Sequence, residues 1–280
     1  MVTNALSLDF EEWFHPELLA QRVPDGPRER RAGAVVAELL GILERFGHRC
    51  TFFVLSDTVQ AYPDLIRQLE AAGHEIAMHG HTHDMLYRQT PERFDGEIKA
   101  FLAVLRECGI RSIPKGYRAP TFSLNQSTSW ALQVLTDNGF QYDSSIFPLR
   151  NHVYGVSGAP LTVYRPDPAD LRNARAEGIL EFPMSVACVG PAKIPASGGF
   201  YFRVMPYFVA SRLLRKINRD ARPFVFYFHP WELDPGIPRV RLGLVDRLIT
   251  YTGIGAMKDK LMRLFESFKF ERMDTVLGLN

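Results

Sequence analysis

The sequence has only three cysteines, Cys50, Cys108 and Cys188, odd in number and far apart. Neither a disulfide framework nor a cysteine-type zinc site fits that spacing. It lacks any run of 18 apolar residues, so no segment reads as a membrane span. The first dozen residues carry no basic stretch and reach Asp9, Glu11 and Glu12 before any long apolar run. That start does not read as a secretory signal, and the expected location is the cytoplasm. An excess of one charge is missing as well. Lys and Arg number 33 against 31 Asp and Glu, leaving +2, which gives nucleic acid no electrostatic footprint. There is no repeat or low-complexity tract, and 46% hydrophobic with 23% charged residues indicates neither disorder nor coiled coil.

What is present is a chain of 280 residues, long enough to bury the core of one large domain. Short β-branched or aromatic runs alternate with longer segments of helical period, the pattern of an α/β fold built from βα units. Strands are predicted at residues 5–9, 50–55, 75–78, 116–118, 141–143, 179–182 and 224–229. Helices are predicted at 32–46, 63–72, 91–108, 126–138, 205–218 and 258–268, several of them closed by glycine at 47, 109 or 139. Residues 147–177 and 189–199 are rich in Pro, Gly and polar residues without period. Loops of that length in a packed domain are usually functional, so they are expected at the rim of a site.

Two clusters carry chemistry. Asp9-Phe10-Glu11-Glu12 closes the first predicted strand, where residues two apart share a face. Asp9 and Glu11 can therefore converge on one point while Glu12 turns away. The second cluster, His79-Gly80-His81-Thr82-His83, follows another strand. His79 and His83 stand at the spacing of one helical turn, an arrangement that a borderline-soft divalent metal accepts. His81 lies between them and is expected on the rim, away from the metal. Taken singly, each cluster also reads as an ordinary solvated loop or a chance pair of histidines. Further along come Tyr117-Arg118-Ala119-Pro120, Tyr142-Asp143-Ser144-Ser145 and Phe226-Tyr227-Phe228-His229-Pro230-Trp231-Glu232, each at a predicted strand exit.

In that order, these five motifs resemble the polysaccharide deacetylases of the NodB-homology type, carbohydrate esterase family 4. The resemblance runs from residue 4 to about 235. Gly198–Arg203 and the C-terminal helix are similar to the branch found in exopolysaccharide gene clusters. It implies a single catalytic domain over 1–280, a distorted (β/α) barrel with core motifs at 4–235 and a C-terminal helical extension at 236–280. It further implies that Asp9 is the general base, that Arg118 pairs with it and that His229 is the general acid, with a partner such as Asp143. His79 and His83 would hold the metal. The strand-face argument makes Glu11 the third ligand, with Glu12 competing, because the adjacent aspartates usual in the family are here Asp-Phe-Glu-Glu. Zn2+ is the first expectation, with Co2+, Ni2+ or Fe2+ able to use the same ligand types.

The expected substrate contacts are Trp13, Thr121, Tyr201, Arg203 and Trp231, the three aromatic residues as faces for a sugar ring. Thr121 replaces a tyrosine often found there, and its backbone N–H would still serve as an oxyanion donor. The implied reaction is metal-dependent removal of an N-acetyl group from a sugar in a polysaccharide or its precursor. The implied partner is an N-acetylated sugar or oligosaccharide, and a lipid-linked form would bring peripheral membrane contact without a spanning helix. Two other readings compete: an amidohydrolase of small cyclic amides or ureides, and an inactive carbohydrate-binding barrel.

Overall fold

Ala5, Ser7 and Asp9 point to one side of β1 (Thr3–Phe10), while Leu6, Leu8 and Phe10 point to the other, and all six are buried. A strand dry on both faces belongs to a sheet covered on both sides. In the computed structural model, which describes residues 2–23, 26, 28–149 and 154–279, that division repeats around a curled parallel sheet. Strands β2 (Thr51–Leu55), β3 (Glu75–Gly80), β4 (Gly116–Tyr117) and β5 (Tyr142–Asp143) follow β1 in order. The antiparallel hairpin β6 (Pro166–Asp167) and β7 (Asp170–Ala174) stands outside the sheet, and β8 (Leu180–Glu181) joins it beside β5. A second hairpin, β9 (Val186–Val189) and β10 (Ala192–Pro195), precedes β11 (Val225–Phe228), which pairs with the other side of β1. Finally β12 (Lys269–Glu271) pairs with the first residues of β1.

The sheet order is therefore β11-β1-β2-β3-β4-β5-β8, a distorted (β/α) barrel whose ends, β8 and β11, do not pair. An irregular segment fills the gap. Tyr227 donates its N–H to the Ser197 carbonyl at 2.8 Å, and Val225 donates to Ser185 Oγ at 2.8 Å. Gly198, at φ 116°, passes so close to β11 that a Cβ there would lie 1.9 Å from the Tyr227 carbonyl oxygen. Only glycine fits.

Eleven helices are present among the described residues: α1 (Glu17–Ala20), α2 (Ala32–Phe46), α3 (Ser56–Ala61), α4 (Pro63–Ala71), α5 (Pro91–Glu107), α6 (Ala131–Asp137), α7 (Gly199–Val204), α8 (Tyr207–Arg219), α9 (Leu244–Tyr251), α10 (Ile254–Ser267) and α11 (Met273–Val276). The larger ones pack against the outer face of the sheet, where Leu6, Phe52, Met78 and Phe226 meet Val36, Leu69, Ile98 and Leu214. Each such fully buried aliphatic or aromatic side chain contributes about 1.5–3 kcal/mol. Inside the barrel a second cluster joins Ala5, Phe53, Ala77, Tyr142 and Tyr227 to Met273 of α11, which plugs the bottom. A third cluster, Trp13, Phe14, Leu19, Trp231, Ile237 and Ile254, ties the exit of β1 to the C-terminal segment.

All seven expected strands are present within one or two residues. The helix expected at 126–138 is broken, with a 3-10 turn at Gln126–Thr128 before α6 begins at Ala131. Local polar bonds win there: Asn125 Oδ1 accepts the Ser127 N–H, and Thr128 Oγ1 donates to the Ser123 carbonyl. The stretches expected as loops at 147–177 and 189–199 contain β6, β7 and most of the β9–β10 turn, strands too short to show a period in sequence. Residues 150–153 of the first lie outside the described residues.

Candidate active site

The inward-facing residues at the strand exits form the top layer of the barrel interior. Asp9 ends β1 on that side, and a tight turn in which the Glu11 N–H donates to the Asp9 carbonyl at 2.9 Å brings the next carboxylate over the barrel mouth. His79 faces inward from β3. His83 does not follow on a helical turn, as its spacing suggested. It sits in the loop after β3 with φ 60°, a left-handed conformation uncommon for any residue but glycine, and this loop swings its ring back beside His79, with centroids 5.2 Å apart.

Three donors meet here. Glu11 Oε1 lies 2.9 Å from His79 Nε2 and 3.2 Å from His83 Nε2. His79 Nδ1 faces the Arg118 carbonyl oxygen at 2.8 Å, and a carbonyl only accepts, so the ring proton resides on Nδ1. His79 thus presents Nε2 to the carboxylate, the nitrogen that a metal would take from the neutral ring. Burial pushes the Glu11 carboxyl up, but the His83 and His79 rings outweigh it and hold the group well below its ordinary value. Burial likewise depresses the His83 ring despite Glu11, which favours the neutral imidazole a metal needs. The carboxylate oxygen stands about 3 Å from each imidazole nitrogen and the three atoms lie within 4.8 Å of one another, separations compatible with a shared metal with bonds of about 2.0–2.2 Å. The set fits a divalent metal.

Glu12 is not part of it. Its Oε2 accepts the backbone N–H groups of Arg31 and Ala32 at 3.0 and 3.2 Å, and its Oε1 accepts the Tyr62 hydroxyl. It caps the N-terminus of α2. His81 is likewise turned aside, its Nδ1 2.8 Å from Ser56 Oγ.

Beside the three donors, Arg118 is wholly buried in the barrel. Its Nη1 donates to Asp9 Oδ1 at 2.6 Å and to Ser7 Oγ at 2.9 Å, and its Nε donates to the Ser144 carbonyl at 3.0 Å. The guanidinium lies over the Phe53 ring at 4.1 Å. Asp9 Oδ2 is left facing His229 Nε2 at 3.8 Å.

His229 follows β11, and its Nδ1 lies 2.9 Å from Glu232 Oε2, which also accepts the His229 N–H at 3.0 Å. Burial alone would depress the imidazole, but the bond and charge of Glu232 push it up to about 9. Arg203 stands behind, its Nε 2.6 Å from Glu232 Oε1. Burial would raise Glu232, yet the Arg203 charge and the bond to His229 hold it below the usual carboxylate range. The partner of His229 is thus Glu232 and not Asp143. Asp143 instead accepts from Ser145 Oγ at 2.6 Å, and burial raises both it and the adjoining Glu181.

These groups line a cleft of about 510 Å³. Of the expected substrate contacts, Thr121, Tyr201 and Trp231 border it, and the Trp231 ring is stacked 5.2 Å from His229. Thr121 is held left-handed at φ 55°, ψ 26°. Trp13 is corrected: it packs beneath the rim and donates its Nε1–H to the Glu29 carbonyl at 2.9 Å. Arg203 reaches the cleft wall, but its guanidinium is also bound by the Ile249, Thr250 and Thr252 carbonyls, so it serves Glu232 rather than a ligand. Sequence reasoning missed Glu232 as a partner, although a proline-initiated turn after a histidine brings the third residue back to it. It also missed the walls supplied by α1 and by α9, through Leu18, Asp246 and Ile249.

Residues 16–142 match the family model described as polysaccharide deacetylase, and residues 144–278 match a domain of unknown function, DUF3473. A peptidoglycan deacetylase-like protein of Gibberella zeae is 31% identical over 136 residues, covering 47% of this chain and 39% of that protein. The chain spans about two fifths of the length of the curated relatives it matches. Among solved structures, one from Mycobacterium smegmatis assigned to the polysaccharide deacetylases superposes with a TM-score of 0.61 at 22% identity, covering 99% of this chain and 91% of that one. The Puue allantoinase superposes at 0.60 with 16% identity, covering 97% and 87%. Those two likenesses establish the curled barrel. Residues 16–142, somewhat under half of the chain, are thus similar to the polysaccharide deacetylase family.

Proposed function

We propose that the chain is a metal-dependent N-deacetylase of an N-acetylated sugar, carried in a polysaccharide, an oligosaccharide or a precursor of either. One observation carries the reading: Glu11, His79 and His83 converge beside an Asp9–Arg118 pair on one flank and a His229–Glu232 pair on the other. The donor set suits Zn2+ first, with Co2+, Ni2+ or Fe2+ as alternatives. When bound, such an ion polarises the acyl oxygen and acidifies water.

The chain's own residues do the rest. Arg118 holds Asp9 by Oδ1, so Oδ2 faces the cleft and accepts the proton of the attacking water. The C–N bond then breaks as His229, kept charged by Glu232, gives the Nε2 proton to the departing amine. Acetate and a free amino sugar leave. The left-handed Thr121 stands at the cleft as the oxyanion donor, and Tyr201 and Trp231 offer faces to the sugar. The Gibberella protein is named for peptidoglycan, an N-acetylated glycan, which is in keeping with this substrate class.

The allantoinase likeness favours a second reading, hydrolysis of a cyclic ureide on the same barrel. Acetate release over a panel of N-acetylated sugars, run beside a cyclic ureide and with metal analysis of the same preparation, separates the two. Release of acetate that a chelator abolishes and Zn2+ restores is expected. Ring opening of the ureide without acetate release would replace the proposal, and sugar binding without turnover in the metal-loaded protein would leave only a carbohydrate-binding barrel.

A further inference from the structure

The C-terminal segment carries a surface that the reaction does not use. Helix α9 turns Asp246, Ile249 and Thr250 to the cleft, while Leu244, Val245 and Leu248 stand 65%, 67% and 52% exposed. Three large aliphatic side chains left in water on an eight-residue helix form a cluster that a surface helix ordinarily hides. Basic residues frame it. Arg239, Arg241 and Arg247 are exposed, and among the described residues no carboxylate lies within ion-pair distance of any of them. Arg239 lies over the Tyr251 ring at 4.2 Å, and together with Arg241, Arg247, Leu242 and Leu248 it borders an open depression of about 570 Å³.

We propose that this face docks on an anionic lipid bilayer, with Leu244, Val245 and Leu248 inserted below the headgroups and Arg239, Arg241 and Arg247 on lipid phosphates. Charge complementarity selects the partner. An aliphatic ridge alone would suit another protein equally, but uncompensated guanidiniums at its edge match an interface where phosphate overlies hydrocarbon. The planar fork of arginine suits phosphate oxygens. The acidic residue of the helix, Asp246, is on the cleft side and leaves the docking face basic. Among the described residues no helix is long and apolar enough to cross a membrane, and the contact proposed for this face is an interfacial one. Because the same helix walls the cleft, docking sets the cleft beside the bilayer. The proposal concerns the surface alone and stands whether or not the chain removes acetyl groups.

Cosedimentation of the whole chain with vesicles tests it. Vesicles of phosphatidylcholine mixed with phosphatidylglycerol are expected to bind at least about tenfold more tightly than pure phosphatidylcholine, with the difference shrinking as salt rises. A Leu244→Ser, Val245→Ser, Leu248→Ser variant loses binding to both vesicles. An Arg239→Gln, Arg241→Gln, Arg247→Gln variant loses only the preference for the anionic one. All six residues are solvent-exposed, and circular dichroism melts confirm that both variants fold. Equal binding to the two vesicles, or wild-type binding by the serine variant, overturns the proposal. So does displacement by inorganic phosphate beyond that by sodium chloride of equal ionic strength, which would mark a pocket for free anions. A dimer in ultracentrifugation that the serine variant dissolves would assign the face to a second copy and overturn it as well.

Discussion

His229 Nδ1 lies 2.9 Å from Glu232 Oε2, one 3-10 turn further along the same chain, and the far oxygen of that carboxylate is held by Arg203 at 2.6 Å. The acid of the proposed reaction is thereby fixed by a neighbour in sequence and a buried arginine. With the imidazole pushed up to about 9, His229 carries its proton below that pH and loses it above, so turnover falls as pH rises through the value.

Replacing Glu232 by Gln removes the charge that sustains this and leaves the burial that opposes it. The alkaline limb of kcat is expected to move down toward neutrality, and kcat at pH 8 to drop roughly tenfold, while bound metal stays at the wild-type level. A pH–rate profile with metal analysis checks both. An unmoved limb would show that Glu232 only shapes the loop.

The two adjacent glutamates of the first motif separate cleanly. Glu11→Gln is expected to strip the metal, because a neutral amide replaces the carboxylate that His79 and His83 face, while the melting temperature without metal changes little. Glu12→Gln should do the reverse, keeping the metal and losing about 1 kcal/mol of stability through the weakened cap on α2. Metal content by mass spectrometry and thermal melts, measured on both variants, give a crossed pattern. If Glu12→Gln sheds the metal, the assignment of the third donor to Glu11 is wrong.

The seven expected strands and the inward positions of Asp9, His79 and His229 were legible because a strand imposes alternation, whereas β1 ends at Phe10 and it is the turn after it, not the strand, that carries Glu11 inward and leaves Glu12 to α2. His83 was legible as a residue but not as a geometry. Its spacing from His79 is that of a helical turn, yet Gly80 and the left-handed backbone at His83 itself deliver the ring by a loop. Trp13 and Arg203 were misread because an aromatic ring or a guanidinium near a motif carries no mark of the direction it faces. Only the Glu29 carbonyl and the carbonyls at the end of α9 decide that. The part played by α9 was invisible for a related reason: a wall of the cleft contributed from far along the chain has no local signature.

At the opposite end of the barrel, Glu75 offers a stability prediction independent of the reaction. Its Oε2 accepts the Thr51 hydroxyl at 2.6 Å and the Asp274 N–H at 3.2 Å, and so joins β2 and β3 to α11. Burial, and then the neighbouring Asp274, raise the carboxyl to about 7, above its ordinary 4.5. The folded state therefore holds this proton more tightly than the unfolded chain. The stability it contributes is complete below about pH 4.5 and is lost as pH rises to 7, after which the loss is constant. At about 1.4 kcal/mol for each unit of difference, the whole effect is at most about 3.5 kcal/mol. Glu75→Gln keeps an acceptor for Thr51 and has no proton to lose. Its melting temperature is expected to match the wild type near pH 4.5 and to exceed it by several degrees at pH 8. Parallel melts across that range, with the two curves a constant distance apart, would show that Glu75 is ionised in its buried seat and that Arg272 and Lys115, which flank Asp274 at 2.8 and 3.7 Å, neutralise the pair.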